Sequence, residues 1–111
     1  MEVPEIDIAE LARLRASDVP LIDVREPHEY VSAHVPGASL VPLATVPDSL
    51  DQVPDEGTVY VICAVGGRSR RAAEFLRTKG IDAVNVAGGI LAWIEAGLPT
   101  DSSPGSGASG S

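Results

Sequence analysis

Cys63 is the only cysteine of this 111-residue chain, and it closes the apolar run Tyr60-Val61-Ile62. The chain continues through Ala64-Val65-Gly66-Gly67 into the basic stretch Arg68-Ser69-Arg70-Arg71. A thiol attacks as its thiolate, and it ionises more readily at a helix N-terminus or beside a cation. Both conditions are in view here. Thr58 to Ile62 predicts a buried strand, and Ala72, Ala73, Phe75 and Leu76 recur at helical spacing until Lys79-Gly80 supplies a stop. Cys63 then lies between a strand end and a helix start. That edge of an open α/β sheet is where ligands bind, and the free N–H groups there favour an anion. Gly66 and Gly67 are expected to reach φ > 0, curling the loop so that backbone N–H groups across Ala64, Val65, Gly66, Gly67, Arg68 and Ser69 converge on one point. A thiolate in such a cradle suits covalent catalysis. The competing reading is a small, inert, buried side chain at a strand end. The Gly-Gly-Arg-Ser continuation favours the nucleophile.

Elements on either side must hold this loop. Asp7 with Glu10 forms a capping-box-like start to a helix whose apolar side is Ile8, Leu11, Ala12 and Leu14, and Val3 to Ile6 predicts a short edge strand. Pro20 to Val24 predicts a buried parallel strand. Alternation puts Asp23 and Arg25 on one face at its C-terminal end, in reach of each other, the loop backbone or Arg68. Pro27 opens a short helix to Ser32, Ala33 to Ala38 turns into a strand at Ser39 to Val41, and a short helix is expected at Pro47 to Val53. Ile81 to Val86 is the next strand. Gly88-Gly89 then opens a helix carrying Ile90, Leu91, Trp93 and Ile94 before Gly97 ends it, with Trp93 expected in the core. Strands alternating with helices predict one three-layer α/β domain, a central parallel sheet flanked by helices on both faces, over residues 1–100. Residues 101–111 are Gly- and Ser-rich and are expected to be a flexible tail or linker.

Composition narrows the chemistry. A formal charge of −8 argues against a broad nucleic-acid surface, although Arg68, Arg70 and Arg71 place three of the eight basic residues beside Cys63. Arg70 and Arg71 either attract anionic donors or are ordinary solvated helix residues. A single cysteine removes any intramolecular disulfide and any resolving thiol, so whatever forms on Cys63 leaves to an external molecule. His28 and His34, six apart with no second cysteine, make a poor metal site, and neither metal nor cofactor is expected. The N-terminal residues lack the basic and apolar regions of a signal peptide and no apolar run approaches membrane-spanning length, so a cytoplasmic location away from membranes is the expectation.

Cys63, Gly66, Arg68 and Ser69 match Cys-x-x-Gly-x-Arg-[Ser/Thr], and the chain resembles the rhodanese family of sulfurtransferases in this loop. Three further stretches agree in order: Asp23-Val24-Arg25-Glu26, Ala33-His34-Val35-Pro36-Gly37-Ala38, and Gly88-Gly89-Ile90-Leu91-Ala92-Trp93 leading to Gly97-Leu98-Pro99. The resemblance covers Val3 to Thr100. It implies a rhodanese-like fold in which Cys63 takes a sulfane sulfur from thiosulfate or a persulfide, carries it, and passes it to a thiol, cyanide or an acceptor protein. It also implies that Asp23 and Arg25 brace the pocket and that His34 holds backbone at its turn. Ser69 either donates to the sulfur or caps the helix. Ala64 stands where many thiosulfate-using members carry a basic residue, which leaves the donor open. Two other classes remain: a non-catalytic binding or regulatory module, and a phosphatase or arsenate reductase. Relatives of the latter kind have one more residue between cysteine and arginine, room for a tetrahedral oxyanion, so no phosphatase activity is expected.

Overall fold

The computed structural model describes residues 2–102. Its elements follow the order β1 (Glu5–Ile6), α1 (Ile8–Arg15), β2 (Leu21–Asp23), α2 (Pro27–Ser32), β3 (Ser39–Leu40), β4 (Thr58–Ile62), α3 (Gly67–Thr78), β5 (Asp82–Val86) and α4 (Gly89–Glu95). All five strands pair in parallel, in the order β1-β5-β4-β2-β3. The strand that ends in Cys63 is thus the middle one. Strands pair with it on both edges and helices cover both its faces, which is why its sequence is rich in β-branched residues.

Side-chain alternation sorts the core into two layers. Ile22, Val24, Val59, Val61, Cys63 and Ala83 face Ala72, Ala73 and Leu76 of α3, together with Val46 and Val53. Leu21, Ile62 and Val86 face the other way, onto Ile8 and Leu11 of α1, Tyr30 of α2, and Ile90 and Trp93 of α4. Helices therefore cover both sheet faces, as the alternation of elements predicts. Cys63 continues the Val59-Val61 parity and so turns toward α3.

One local expectation is corrected. The helix expected over Pro47 to Val53 is replaced by two 3-10 segments, Leu43–Asp48 and Leu50–Gln52, because Pro47 has no N–H for an α-helical ladder. On α4 Ile90 and Trp93 enter the core and Ala92 packs against it, while Leu91 and Ile94 are 55% and 46% exposed, since a seven-residue helix buries one narrow stripe. Asp101, at the start of the expected tail, exchanges two backbone hydrogen bonds with His34. The rest of that tail, from residue 103, lies outside the described residues.

Candidate active site

The loop after β4 is held by its carbonyls, which leaves its N–H groups free to face the sulfur. Ile90 N–H donates to the Cys63 carbonyl at 2.8 Å and Leu91 N–H to that of Ala64 at 3.1 Å. Close approach of α4 makes this possible. Gly89 has φ +61, and a Cβ there would sit 2.4 Å from the carbonyl oxygens of both Cys63 and Ala64. No other residue fits. Gly66 takes φ +114, which directs its N–H to Cys63 Sγ at 3.1 Å. Gly67 does not share this freedom: it is the first residue of α3 with φ outside the left-handed region and open space around it, so only one of the two glycines makes the curl.

Cys63 is 1% exposed. Burial is the largest single influence on its thiol and opposes ionisation. Hydrogen bonds from the Ser69 hydroxyl and from the backbone N–H groups of Ser69, Gly66 and Val65 together outweigh it, and hold the thiol below its ordinary range. Of the loop residues expected to converge, the N–H groups of Val65, Gly66 and Ser69 are the ones that reach Sγ. Val65 presents its side chain outward, 64% exposed. Ser69 is not the helix cap, a position filled by Gly66; its hydroxyl lies 3.3 Å from Sγ and 2.5 Å from Asn85 Oδ1.

Arg68 occupies the first turn of α3, where its positive charge and the negative charge of a Cys63 thiolate favour each other. Its guanidinium forms a two-point ion pair with Glu29 of α2, at 2.8 and 3.0 Å. Glu29 also accepts from the Glu26 N–H at 2.9 Å, and the Arg68 pairing, partly opposed by burial, lowers its carboxyl to about 2. Asp23 and Arg25 choose each other among the partners open to them. Arg25 Nε and Nη2 both reach the fully buried Asp23 carboxylate, and Nη2 continues to the Ala33 carbonyl at 2.7 Å. This pair braces the α2–β3 connection rather than touching Cys63 or Arg68. His34 is buried under a stacked Tyr30 ring and bonds through Nδ1 to the Tyr30 carbonyl at 2.7 Å, a backbone contact of the kind expected. Arg70 is engaged by Glu5 at 3.2 Å and Glu74 at 3.9 Å. Among the described residues no group of three or more His, Cys, Asp or Glu side chains is placed to hold a metal ion, and His28 is exposed while His34 is committed.

Three participants escaped the sequence reading: Glu29, Asn85 and Glu5. Asn85 Nδ2 donates to Glu5 Oε2 at 2.8 Å and toward the Gly66 carbonyl at 3.3 Å. The available signal was a polar residue between Val84 and Val86, in the apolar C-terminal half of the strand.

A parallel sheet of this order, with a glycine loop wrapping one buried cysteine at the end of its central strand, defines an α/β domain built around a single thiol. The chain belongs to the rhodanese-like domain family, which matches residues 7–96. A protein of Allochromatium vinosum named as a sulfurtransferase is 36% identical over 100 residues, covering 87% of this chain and 94% of that one. An uncharacterised Synechocystis protein is 42% identical over 93 residues, covering 81% of this chain, but the chain spans only 51% of its length. Among solved structures, a rhodanese-related protein of Thermoplasma volcanium superposes with a TM-score of 0.83 at 32% identity, covering 89% of this chain and 98% of that one.

Proposed function

We propose that the chain is a sulfurtransferase that carries sulfane sulfur as a persulfide on Cys63. The observation that supports this most is the set of donors closing on one buried atom, Sγ, from Gly66, Val65 and Ser69. In the proposed cycle the Cys63 thiolate attacks the outer sulfur of a donor. With thiosulfate the S–S bond breaks, sulfite leaves with the electron pair, and Cys63 becomes an anionic persulfide. An acceptor thiol or cyanide then takes the terminal sulfur and returns the thiolate. The loop donors stabilise anionic sulfur in both states without reorganising. Arg68 contributes charge at the mouth of the loop, shared with Glu29. With no second cysteine to resolve the persulfide, discharge depends on the acceptor, and the exposed Val65 and Leu91 beside the loop are where an acceptor protein would first meet it.

The test is intact mass before and after excess thiosulfate or a small-molecule persulfide, on the wild type and on Cys63→Ser. A gain of one sulfur atom on the wild type alone, reversed by cyanide, is expected. No gain with either donor, in a protein whose Cys63 still alkylates, would overturn the proposal in favour of a binding module.

A further inference from the structure

Ser69 has one hydroxyl hydrogen and two acceptors for it. Cys63 Sγ lies at 3.3 Å and Asn85 Oδ1 at 2.5 Å. All three side chains are buried, at 1%, 0% and 1% exposure for Cys63, Ser69 and Asn85, so water does not arbitrate. The orientation of the Asn85 amide decides which acceptor wins while the sulfur is neutral, and that orientation is set from outside the loop. Nδ2 must face the Glu5 carboxylate at 2.8 Å and the Gly66 carbonyl at 3.3 Å, because turning the amide over would aim Oδ1 at two acceptors. Oδ1 is therefore presented to Ser69. An amide oxygen accepts far better than a neutral thiol sulfur. In the resting protein the hydrogen lies on Asn85, and the Ser69 oxygen turns a lone pair toward the S–H.

We propose that Asn85, aimed by Glu5, is a positioning residue that controls the single hydrogen of Ser69, holding it off neutral Sγ and yielding it once the sulfur is anionic. The S–H to Ser69 to Asn85 chain satisfies the thiol completely. Forming the thiolate requires the Ser69 hydroxyl to rotate and abandon Oδ1. Asn85 thus restrains a nucleophile that the backbone N–H groups favour, and the restraint runs to Glu5 on the far edge strand, eighty residues away in sequence. This inference rests on Cys63 being the nucleophile and on nothing about the sulfur donor.

The readout is the rate of Cys63 alkylation by iodoacetamide as a function of pH, which reports thiolate directly even in a protein that never takes up sulfur. Asn85→Leu, close in volume and without an acceptor, is expected to move the profile toward acid by about one pH unit, roughly a tenfold faster reaction on the acid limb. In a Ser69→Ala background the same substitution is expected to move nothing, because its effect passes through the hydroxyl. Charged groups around the sulfur come from each neighbouring element: Arg68 and Arg70 on α3, Glu29 on α2, Asp23 and Arg25 at the end of β2, and Glu5 on β1. Asn85→Leu leaves every one of these charges in place; it removes one hydrogen-bond partner of Glu5, which keeps Arg70. An unchanged or alkaline-shifted profile, or an equal shift with and without Ser69, overturns the proposal. Should Asn85→Leu fail to fold, Glu5→Leu decides: it removes the carboxylate acceptor that aims the amide, and an acid shift that needs Ser69 is expected. A shift that is equal in both backgrounds reads only the lost charge and overturns the proposal.

Discussion

Gly66 and Gly67 are adjacent and identical, yet the structure asks different things of them. At φ +114 Gly66 holds a backbone state that side chains rarely adopt, and its N–H reaches Sγ from there. Gly66→Ala is expected to cost about 1–3 kcal/mol in thermal unfolding and to slow Cys63 alkylation at neutral pH. Gly67 has ordinary helical geometry and nothing within 4 Å of an added Cβ. Gly67→Ala is expected to be neutral or to stabilise by up to about 1 kcal/mol, with alkylation unchanged. The sequence marks both as loop glycines, and dihedral demand is a property of the closed loop. Glu29 was illegible for a similar reason. Its role depends on α2 meeting the start of α3, thirty-nine residues later, and a glutamate in a short polar helix carries no sign of that.

The Glu29–Arg68 pair joins two elements, and its worth is read against pH. The carboxyl lies at about 2 in the folded protein against an ordinary value of 4.5, chiefly through the Arg68 hydrogen bonds. A depressed carboxylate contributes stability that is full above the unfolded value and is lost as pH falls through the folded one. Allowing for a partly exposed pair, about 1–2 kcal/mol is at stake. Glu29→Gln is therefore expected to lower unfolding stability by that amount at pH 7, with the gap to wild type narrowing between pH 4.5 and 2. A gap that stays constant over this range would remove the ion pair as its cause. Most of the elements themselves were legible. β4 and α3 are where the Thr58–Ile62 run and the Ala72-Ala73-Leu76 face place them, because Gly57, Gly66 and Gly80 punctuate both ends. The segment after β3 was not, since it begins at Leu43, four residues before the Pro47 that the expectation took as its start, and Leu50 and Val53 alone do not mark a 3-10 turn. On α4 the spacing of Ile90, Leu91, Trp93 and Ile94 shows that a helix forms and leaves open how wide a face it buries.

Across the whole molecule, a site of seven consecutive residues, Cys63 to Ser69, is held by residues from both ends of the chain. Glu5 reaches it through Asn85, and α4 pins it through Gly89. The chain closes again on the opposite side of α4. Trp93 Nε1 donates to the Pro99 carbonyl at 2.7 Å, and two residues later Asp101 trades backbone hydrogen bonds with His34, its carbonyl taking the His34 N–H at 2.8 Å. His34 is 1% exposed, so losing Asp101 strands a buried donor, a loss of about 1–3 kcal/mol. A chain ending at Thr100 is thus expected to unfold several degrees below one ending at Ser102, by roughly 4–8 °C per kcal/mol in a domain of this size. The two differ only in Asp101 and Ser102, so the comparison isolates that contact from everything beyond it. Because the Asp23–Arg25 pair also holds the Ala33 carbonyl next door, the shortened chain is expected to keep Cys63 reactive while its stability falls. Equal melting temperatures would mean that Arg25 and the stacked Tyr30–His34 rings hold that turn without the Asp101 bridge.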